Sequence, residues 1–312
     1  MGGALDPAGP VSREMADLWW IMLGLGGGAF LVFATALVAA LLRRRGSNDE
    51  DGVPRPHEEH PSRAWILVGG VVQPLVLVII VFAATLLAMR AIPENVSSDG
   101  LVIEIVGHQW WYEIRYPDHD IVTANELHIP VGEPVELRLQ SADVIHSFWI
   151  PQLGGKTDML PDGQTTMVLQ ADEPGSYAGS CAEFCGLQHT RMAITAIALS
   201  SEDFDAWVTT QQQPAVEPSS QAEILGQEVF QQANCAQCHT IAGTQSQGTA
   251  GPVLTHFGSR GTIGAGTVAN TTADLRAWLT DPDQIKEGAQ MPAADLDAAQ
   301  LDALVDYLRG LE

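Results

Sequence analysis

Cys181-Ala-Glu-Phe-Cys185-Gly-Leu-Gln-His189-Thr-Arg-Met192 sets two thiols, an imidazole and a thioether four, four and three residues apart. Upstream, Val144-Ile-His146-Ser-Phe-Trp149 offers a second imidazole at the end of an earlier strand. Thiolate, imidazole and a weak axial thioether together select copper, and the methionine argues against zinc. Rival readings stay open for parts of the set. The cysteines suit a disulfide in an exported domain, or a four-cysteine zinc site shared with the chain's second cysteine pair, although neither explains His189 and Met192 at their spacing. Met192 taken alone also suits an ordinary core position.

The second pair lies in Cys235-Ala-Gln-Cys238-His239. In C-x-x-C-H, two thiols bond the vinyl groups of a haem and the adjacent histidine falls under the iron. A redox or zinc C-x-x-C is the rival, but a thioredoxin-like motif belongs in a βαβ pattern that is missing here. The sixth ligand is expected on a later loop, at Met291 in Gln290-Met291-Pro292, with His256 as the alternative. His/Met ligation fills both axial positions and raises the potential into the electron-carrier range, so such a haem neither binds nor activates O2.

Outward from these motifs, the chain of 312 residues divides by composition. Residues 101–106, 128–130, 135–139, 166–170 and 192–198 read as short strands separated by Gly and Pro turns, which predicts a sandwich or barrel of about 100 residues. Gln211 to Gln221 reads QQQPAVEPSSQ, with no apolar periodicity and two prolines, and is expected to be a linker. Beyond it come a predicted helix near 222–232, a Gly-rich middle and a last helix over 295–311, whose Leu301, Leu304, Val305 and Leu308 share one face. The expected domains are an N-terminal segment and helical hairpin (1–92), the strand-rich domain (93–210), the linker (211–221) and a small helical domain (222–312).

Residues 18–42 and 65–89 are uncharged runs of 25 residues each, about 37 Å as helix and long enough to cross a hydrocarbon core. Between them lie Arg43, Arg44, Arg45, Arg55 and Arg63, against only Arg13 and Arg90 close by on the outer flanks. That asymmetry puts the loop inside and both termini, with everything after residue 90, on the outer or periplasmic face. Gly24, Gly26, Gly27 and Gly28 in the first span suit close approach of a neighbouring membrane helix. The first 17 residues lack the basic-then-apolar pattern of a cleavable signal. Net charge is −1 over 1–90, −14 over 91–212 and −8 over 213–312. A field of that sign repels nucleic acid and favours a basic protein partner, and charge alone suits solubility or salt adaptation equally.

In C-x-E-x-C-x-x-x-H-x-x-M, in the stretch around His146 and in Gly107-His-Gln-Trp110-Trp-Tyr112, the sequence resembles subunit II of cytochrome c oxidase. The C-terminal part resembles class I cytochromes c, with Gly251-Pro252 also matching, and the fusion is the pattern of caa3-type oxidases. The resemblance implies a two-helix transmembrane hairpin, an all-β cupredoxin-like barrel and an all-α cytochrome c domain. It implies a dinuclear copper centre (CuA) bridged by Cys181 and Cys185, with His146 and His189 each on one copper. Met192 and the Glu183 carbonyl become weak axial ligands, and the Glu183 carboxylate meets a Mg2+ or Mn2+ at the contact with subunit I. Trp110 becomes the point where electrons reach the copper domain; read without the family, Trp110, Trp111 and Tyr112 suit ordinary strand-end packing. His108, His119 and His128 have no partner at ligand spacing and are expected to be structural or exposed.

The resemblance further implies partners: oxidase subunits I and III, and a cytochrome c or bc1-type donor. The expected role is to receive electrons for O2 reduction and proton pumping elsewhere in the complex, with no catalytic residue in this chain. Rival roles are the electron-transfer subunit of a nitric oxide reductase-type complex and a free-standing membrane-tethered cytochrome. A soluble nitrous oxide enzyme would need more histidines than nine, and a quinol oxidase branch lacks the copper cysteines. One departure from the family concerns the proton-uptake glutamate near the start of the second span. Ser62 stands there, and Glu58 and Glu59 are displaced from it.

Overall fold

The computed structural model describes residues 3–46, 63–92 and 100–312. Glu58, Glu59 and Ser62, on which the proton-path expectation rests, and Arg55 of the loop's charge count lie outside them. The chain separates into two units, Arg13–Ile92 and Met1–Ser12 with Pro93–Glu312.

In the first unit, α1 (Pro10–Gly46) runs 37 residues, about 55 Å. It starts well before Leu18, because Pro10 is pre-set for the first turn of a helix and the charged Arg13, Glu14 and Asp17 are tolerated there. A second helix, α2 (Arg63–Ala91), has a wide π turn at Val68–Val72. Pro74 follows that turn, and a proline inside a helix removes one N–H and crowds the preceding turn. Mean hydropathy is 2.2 and 2.7 in the two spans, and side chains such as Phe33, Val78 and Leu87 are largely exposed. Both helices are long and apolar enough to cross a membrane, and surface of that kind is covered by hydrocarbon or by neighbouring helices.

The second unit begins with ten strands: β1 (Val102–His108), β2 (Trp111–Tyr116), β3 (Ile121–Ala124), β4 (Glu126–Pro130), β5 (Val135–Ser141), β6 (His146–Trp149), β7 (Thr157–Met159), β8 (Thr165–Leu169), β9 (Gly175–Cys181) and β10 (Ala193–Leu199). They form two five-stranded sheets, ordered β3-β2-β1-β5-β8 and β4-β10-β9-β6-β7. Pairing is antiparallel except for β1 with β5 and β10 with β4. Period-two alternation turns Ile103, Ile105, Leu137, Leu139, Ile194 and Ala196 inward, and Tyr112 and Phe148 fill the space between the sheets edge to face. Each fully buried Ile or Leu among them contributes roughly 1.5–3 kcal/mol. This is the cupredoxin-like all-β domain expected.

A helix that the sequence pattern did not predict, α3 (Ser201–Gln211), is capped by Ser200 and lays Phe204 and Val208 on the β-domain core. Its Trp207 stacks on His128 with ring centroids 4.3 Å apart. Burial holds His128 down at about 4, so the unfolded chain binds the extra proton between pH 4 and 6.5. The stability this neutral ring protects is fully present above pH 6.5 and is lost as pH falls toward 4, about 3 kcal/mol in all. Unfolding of the full chain followed at stepped pH should show that slope, and His128→Phe should flatten it. Equal slopes in both proteins would remove His128 from the acid response.

The remaining helices are α4 (Gln221–Gln232), α5 (Thr272–Thr280), the single turn α6 (Pro282–Ile285) and α7 (Ala298–Arg309). Capping boxes, Ser220 with Glu223 and Asp297 with Gln300, fix the starts of α4 and α7. These two helices cross with Phe230 against Tyr307, and Leu304, Val305 and Leu308 are buried as the periodicity predicts, with Leu301 half-buried beside them. Between α3 and α4 the Pro-rich stretch follows the helical domain: Ala215 N–H donates to Ala242 and its side chain packs on that core.

Candidate metal and haem sites

β6 and β9 are paired, Phe148 opposite Cys181, which brings the start of one strand to the end of the other. His146 opens β6, Cys181 closes β9, and the loop after it returns through a short turn at His189–Arg191 to Met192 beneath β10. Cys181 Sγ and Cys185 Sγ lie 3.7 Å apart and both thiols are free. Cys181 Sγ is 3.9 Å from His146 Nδ1, and Cys185 Sγ is 3.6 Å from His189 Nδ1 and 3.9 Å from Met192 Sδ. The Glu183 carbonyl oxygen stands 3.1 Å from Cys181 Sγ. Two sulfurs about 2.3 Å from a shared first-row ion, at a tetrahedral angle, are about 3.8 Å apart, so the spacing suits metal bridging.

Electrostatics agree. The two sulfurs share one proton: the hydrogen bond from Cys185 draws Cys181 well below the usual thiol value, and the Cys181 thiolate then raises Cys185. A cation between them is what lets both be thiolates. His146 is fully buried, and its Nε2–H donates to Asp143 Oδ1 at 2.8 Å, which leaves Nδ1 turned to the sulfur. Burial disfavours charge on His146, but the bonds with Cys181 and Asp143 outweigh that and raise its pKa. Asp143 also accepts from the backbone N–H of Gln109 and Val144, so its own orientation is fixed. Met192 is fully buried, as both the axial and the core reading require.

Trp110 packs over this cluster. Its Nε1–H donates to the Cys185 carbonyl at 2.9 Å, and Gln109 Nε2–H donates to the same oxygen at 2.7 Å. Gly186, at φ +112, holds the loop beneath them; a Cβ there would stand 3.0 Å from Gln109 Nε2 and 3.3 Å from the indole. His108 stacks on Trp111 and pairs with Glu113, His119 meets Phe204 and His128 meets Trp207, so these three histidines are structural.

In the helical domain, Cys235, Cys238, His239 and Met291 line one cavity of about 290 Å3 with Phe230, Leu275 and Leu304 among its apolar walls. His239 Nδ1–H donates to the Pro252 carbonyl at 2.7 Å, which leaves Nε2 free to act as a ligand. Gly251 permits that approach, since a Cβ would lie 2.6 Å from the imidazole. Burial lowers the His239 pKa, so the ring is neutral, the form that binds a metal. Trp278 Nε1–H points at Met291 Sδ, 3.2 Å away. Arg260 is on the same wall, and its buried Nε has no partner among the described residues, a donor suited to an acidic substituent of the group held there. An apolar slot with two thiols, one oriented imidazole and one thioether fits a covalent haem. His256 is not on this wall; its two ring nitrogens face the Glu312 and Gln213 carbonyls.

Sequence reasoning passed over Asp143, Gln109, Arg260 and Lys286. Asp143 sits three residues before His146 in a loop, and Gln109 lies inside the quoted aromatic stretch. Arg260 and Lys286 are two of the four bases in 213–312, a scarcity that was itself the signal.

Residues 120–199 match the family described as cytochrome C oxidase subunit II, periplasmic domain, and residues 224–312 match cytochrome c. The chain is 36% identical to cytochrome c oxidase subunit 2 of Alkalihalophilus pseudofirmus, over 99% of this chain and 90% of that one. It is 29% identical to cytochrome c oxidase subunit 2 of Bacillus subtilis, over 99% and 91%. Among solved structures, the periplasmic domain of subunit II of cytochrome oxidase of Bradyrhizobium japonicum is 28% identical, covering 39% of this chain and 96% of that one, with a TM-score of 0.36. Because the likeness to the first relative covers 99% of this chain, and so takes in the membrane helices, the sulfur-rich sheet and the haem-shaped slot, the chain belongs to the cytochrome c oxidase subunit 2 family, as a membrane-anchored member carrying a cytochrome c domain.

Proposed function

We propose that this subunit II receives electrons from a cytochrome c or bc1-type donor and passes them, through haem c and then a dinuclear CuA centre, to subunit I for O2 reduction coupled to proton pumping. What carries the reading is the convergence of Cys181, Cys185, His146, His189 and Met192 in one cluster and of Cys235, Cys238, His239 and Met291 around one cavity. When bound, the two groups supply one-electron carriers. Cys235 and Cys238 would tether the haem, His239 and Met291 would be its axial ligands, and Pro252 holds the His239 tautomer. Cys181 and Cys185 would bridge two coppers, His146 and His189 would each bind one, and Met192 and the Glu183 carbonyl would be the weak axial donors. The Glu183 carboxylate would reach a Mg2+ or Mn2+ shared with subunit I, and Trp110 is where electrons reach the copper domain.

The domains after residue 90 face the outer or periplasmic side in this reading, with subunits I and III beside the hairpin. Their net −14 and −8 would steer a basic donor. Metal analysis and redox spectra of the purified native complex test the whole. The expected result is one covalent haem and two coppers per chain, a near-infrared copper band that disappears on reduction, and co-purification of a polytopic subunit with noncovalent haem. Covalent haem without copper, or zinc in its place, overturns the copper assignment.

A further inference from the structure

The wall of the haem cavity is not made by the helical domain alone. Gln109, Trp110, Trp111 and Asn125 of the β-domain complete it. Two buried charged side chains hold that junction, each reaching backbone of the other domain, and Arg191 at the edge donates to the Ile285 carbonyl beside them. Lys286, 4% exposed, donates from Nζ to the carbonyls of Trp110 at 2.8 Å and Arg191 at 2.9 Å in the β-domain, and to Gly264 at 2.8 Å in its own. Glu126, 7% exposed at the start of β4, accepts at Oε1 from the N–H groups of Gly261 at 2.8 Å and Thr262 at 3.3 Å in the helical domain. Between them Ala193 N–H donates to the Ala265 carbonyl at 3.1 Å.

A flexible tether needs none of this. Residues 211–221 already keep the domains on one chain, and burying charge is expensive unless its acceptors are in place. Burial pushes Lys286 down to about 7, a cost its three carbonyls offset only when the domains meet in this one register.

We propose that Lys286 and Glu126 are a reciprocal latch that fixes the cytochrome domain over Trp110, so that electrons cross from the haem cavity through Trp110 to the Cys185 carbonyl, and no outside donor docks on Trp110. The latch rests on the functional reading above only for its electron route. Lys286 and Glu126 act as positioning residues, and the indole bond to Cys185 is the contact they preserve.

The test uses the full complex with Lys286→Met, Glu126→Gln and unaltered chains. Amide hydrogen exchange at 109–112 and 261–266 should rise about tenfold in both variants, the loss expected from one charged hydrogen-bond cluster. After photoreduction of haem c, transfer to copper should slow about tenfold or more, the scale on which displaced centres fail, and become viscosity-dependent. In Glu126→Gln, which lies off the cavity wall, haem potential and the copper band should not move, whereas general loosening of either site would shift them. Unchanged exchange in both variants overturns the latch, and faster exchange with unchanged transfer overturns the Trp110 route. If Lys286→Met does not assemble, Glu126→Gln decides from the opposite side of the junction. Absence of copper or haem from the unaltered complex overturns the functional reading instead, and the exchange comparison still decides the latch.

Discussion

Cys185→Ser empties the copper centre and leaves the covalent haem in place. Cys185 Sγ is the atom common to the cluster, 3.7 Å from Cys181 Sγ, 3.6 Å from His189 Nδ1 and 3.9 Å from Met192 Sδ. A serine oxygen is a hard donor and a poor bridge for copper, which soft sulfur and imidazole ligands select. The volume change is small and Cys185 is 2% exposed at the end of a loop held by Gln109 and Trp110 through its carbonyl, so the fold persists. Copper should fall from two per chain to less than one and the near-infrared band should vanish. Oxidase turnover with a reduced c-type donor should drop by at least about a hundredfold, as when reacting centres are displaced, while the donor still reduces haem c. Retention of both coppers with normal turnover would exclude Cys185 as a bridge.

The contrast between what was legible and what was not follows residue chemistry. The ligand-bearing stretch around Cys181 and the C-x-x-C-H around His239 declare themselves because a metal or haem needs particular donors at fixed short spacings. Strands β1, β5 and β10 were legible through alternation, since one face of each is buried. β9 was not: Gly-Ser-Tyr-Ala-Gly-Ser-Cys is mostly small residues with no apolar rhythm, although it forms the middle of its sheet and delivers Cys181. β6 was legible only as a strand end at His146, because His146, Ser147 and Phe148 are all buried and period two has nothing to contrast.

The junction of the two domains was beyond any local pattern. Lys286 and Trp110 are 176 positions apart, and nothing near either one forecasts the bond between them. A lone lysine in acidic sequence reads as solvated surface, and only burial reveals the three carbonyls around it. The same holds for Asp143, whose place behind His146 depends on the turn before β6 and not on spacing alone.

Met291→Ala separates the tether from the axial ligand. In the proposed reading Cys235 and Cys238 would still hold the haem covalently, and His239 keeps its orientation through the Pro252 carbonyl, so haem content should be unchanged. The thioether favours the reduced iron, and axial ligands set potentials across about 0.8 V, so its loss should lower the haem c potential by roughly a quarter of that range. At such a potential the natural donor no longer reduces this site, and turnover falls although copper content does not. The vacated position should also let the reduced protein bind carbon monoxide, which the unaltered chain should not. His256→Gln is the comparison: the ring lies between the Glu312 and Gln213 carbonyls, away from the cavity wall, so its loss should leave the potential alone. An unmoved potential in Met291→Ala together with a fall in His256→Gln would transfer the sixth position to His256, and would require the segment after residue 251 to repack when haem is attached.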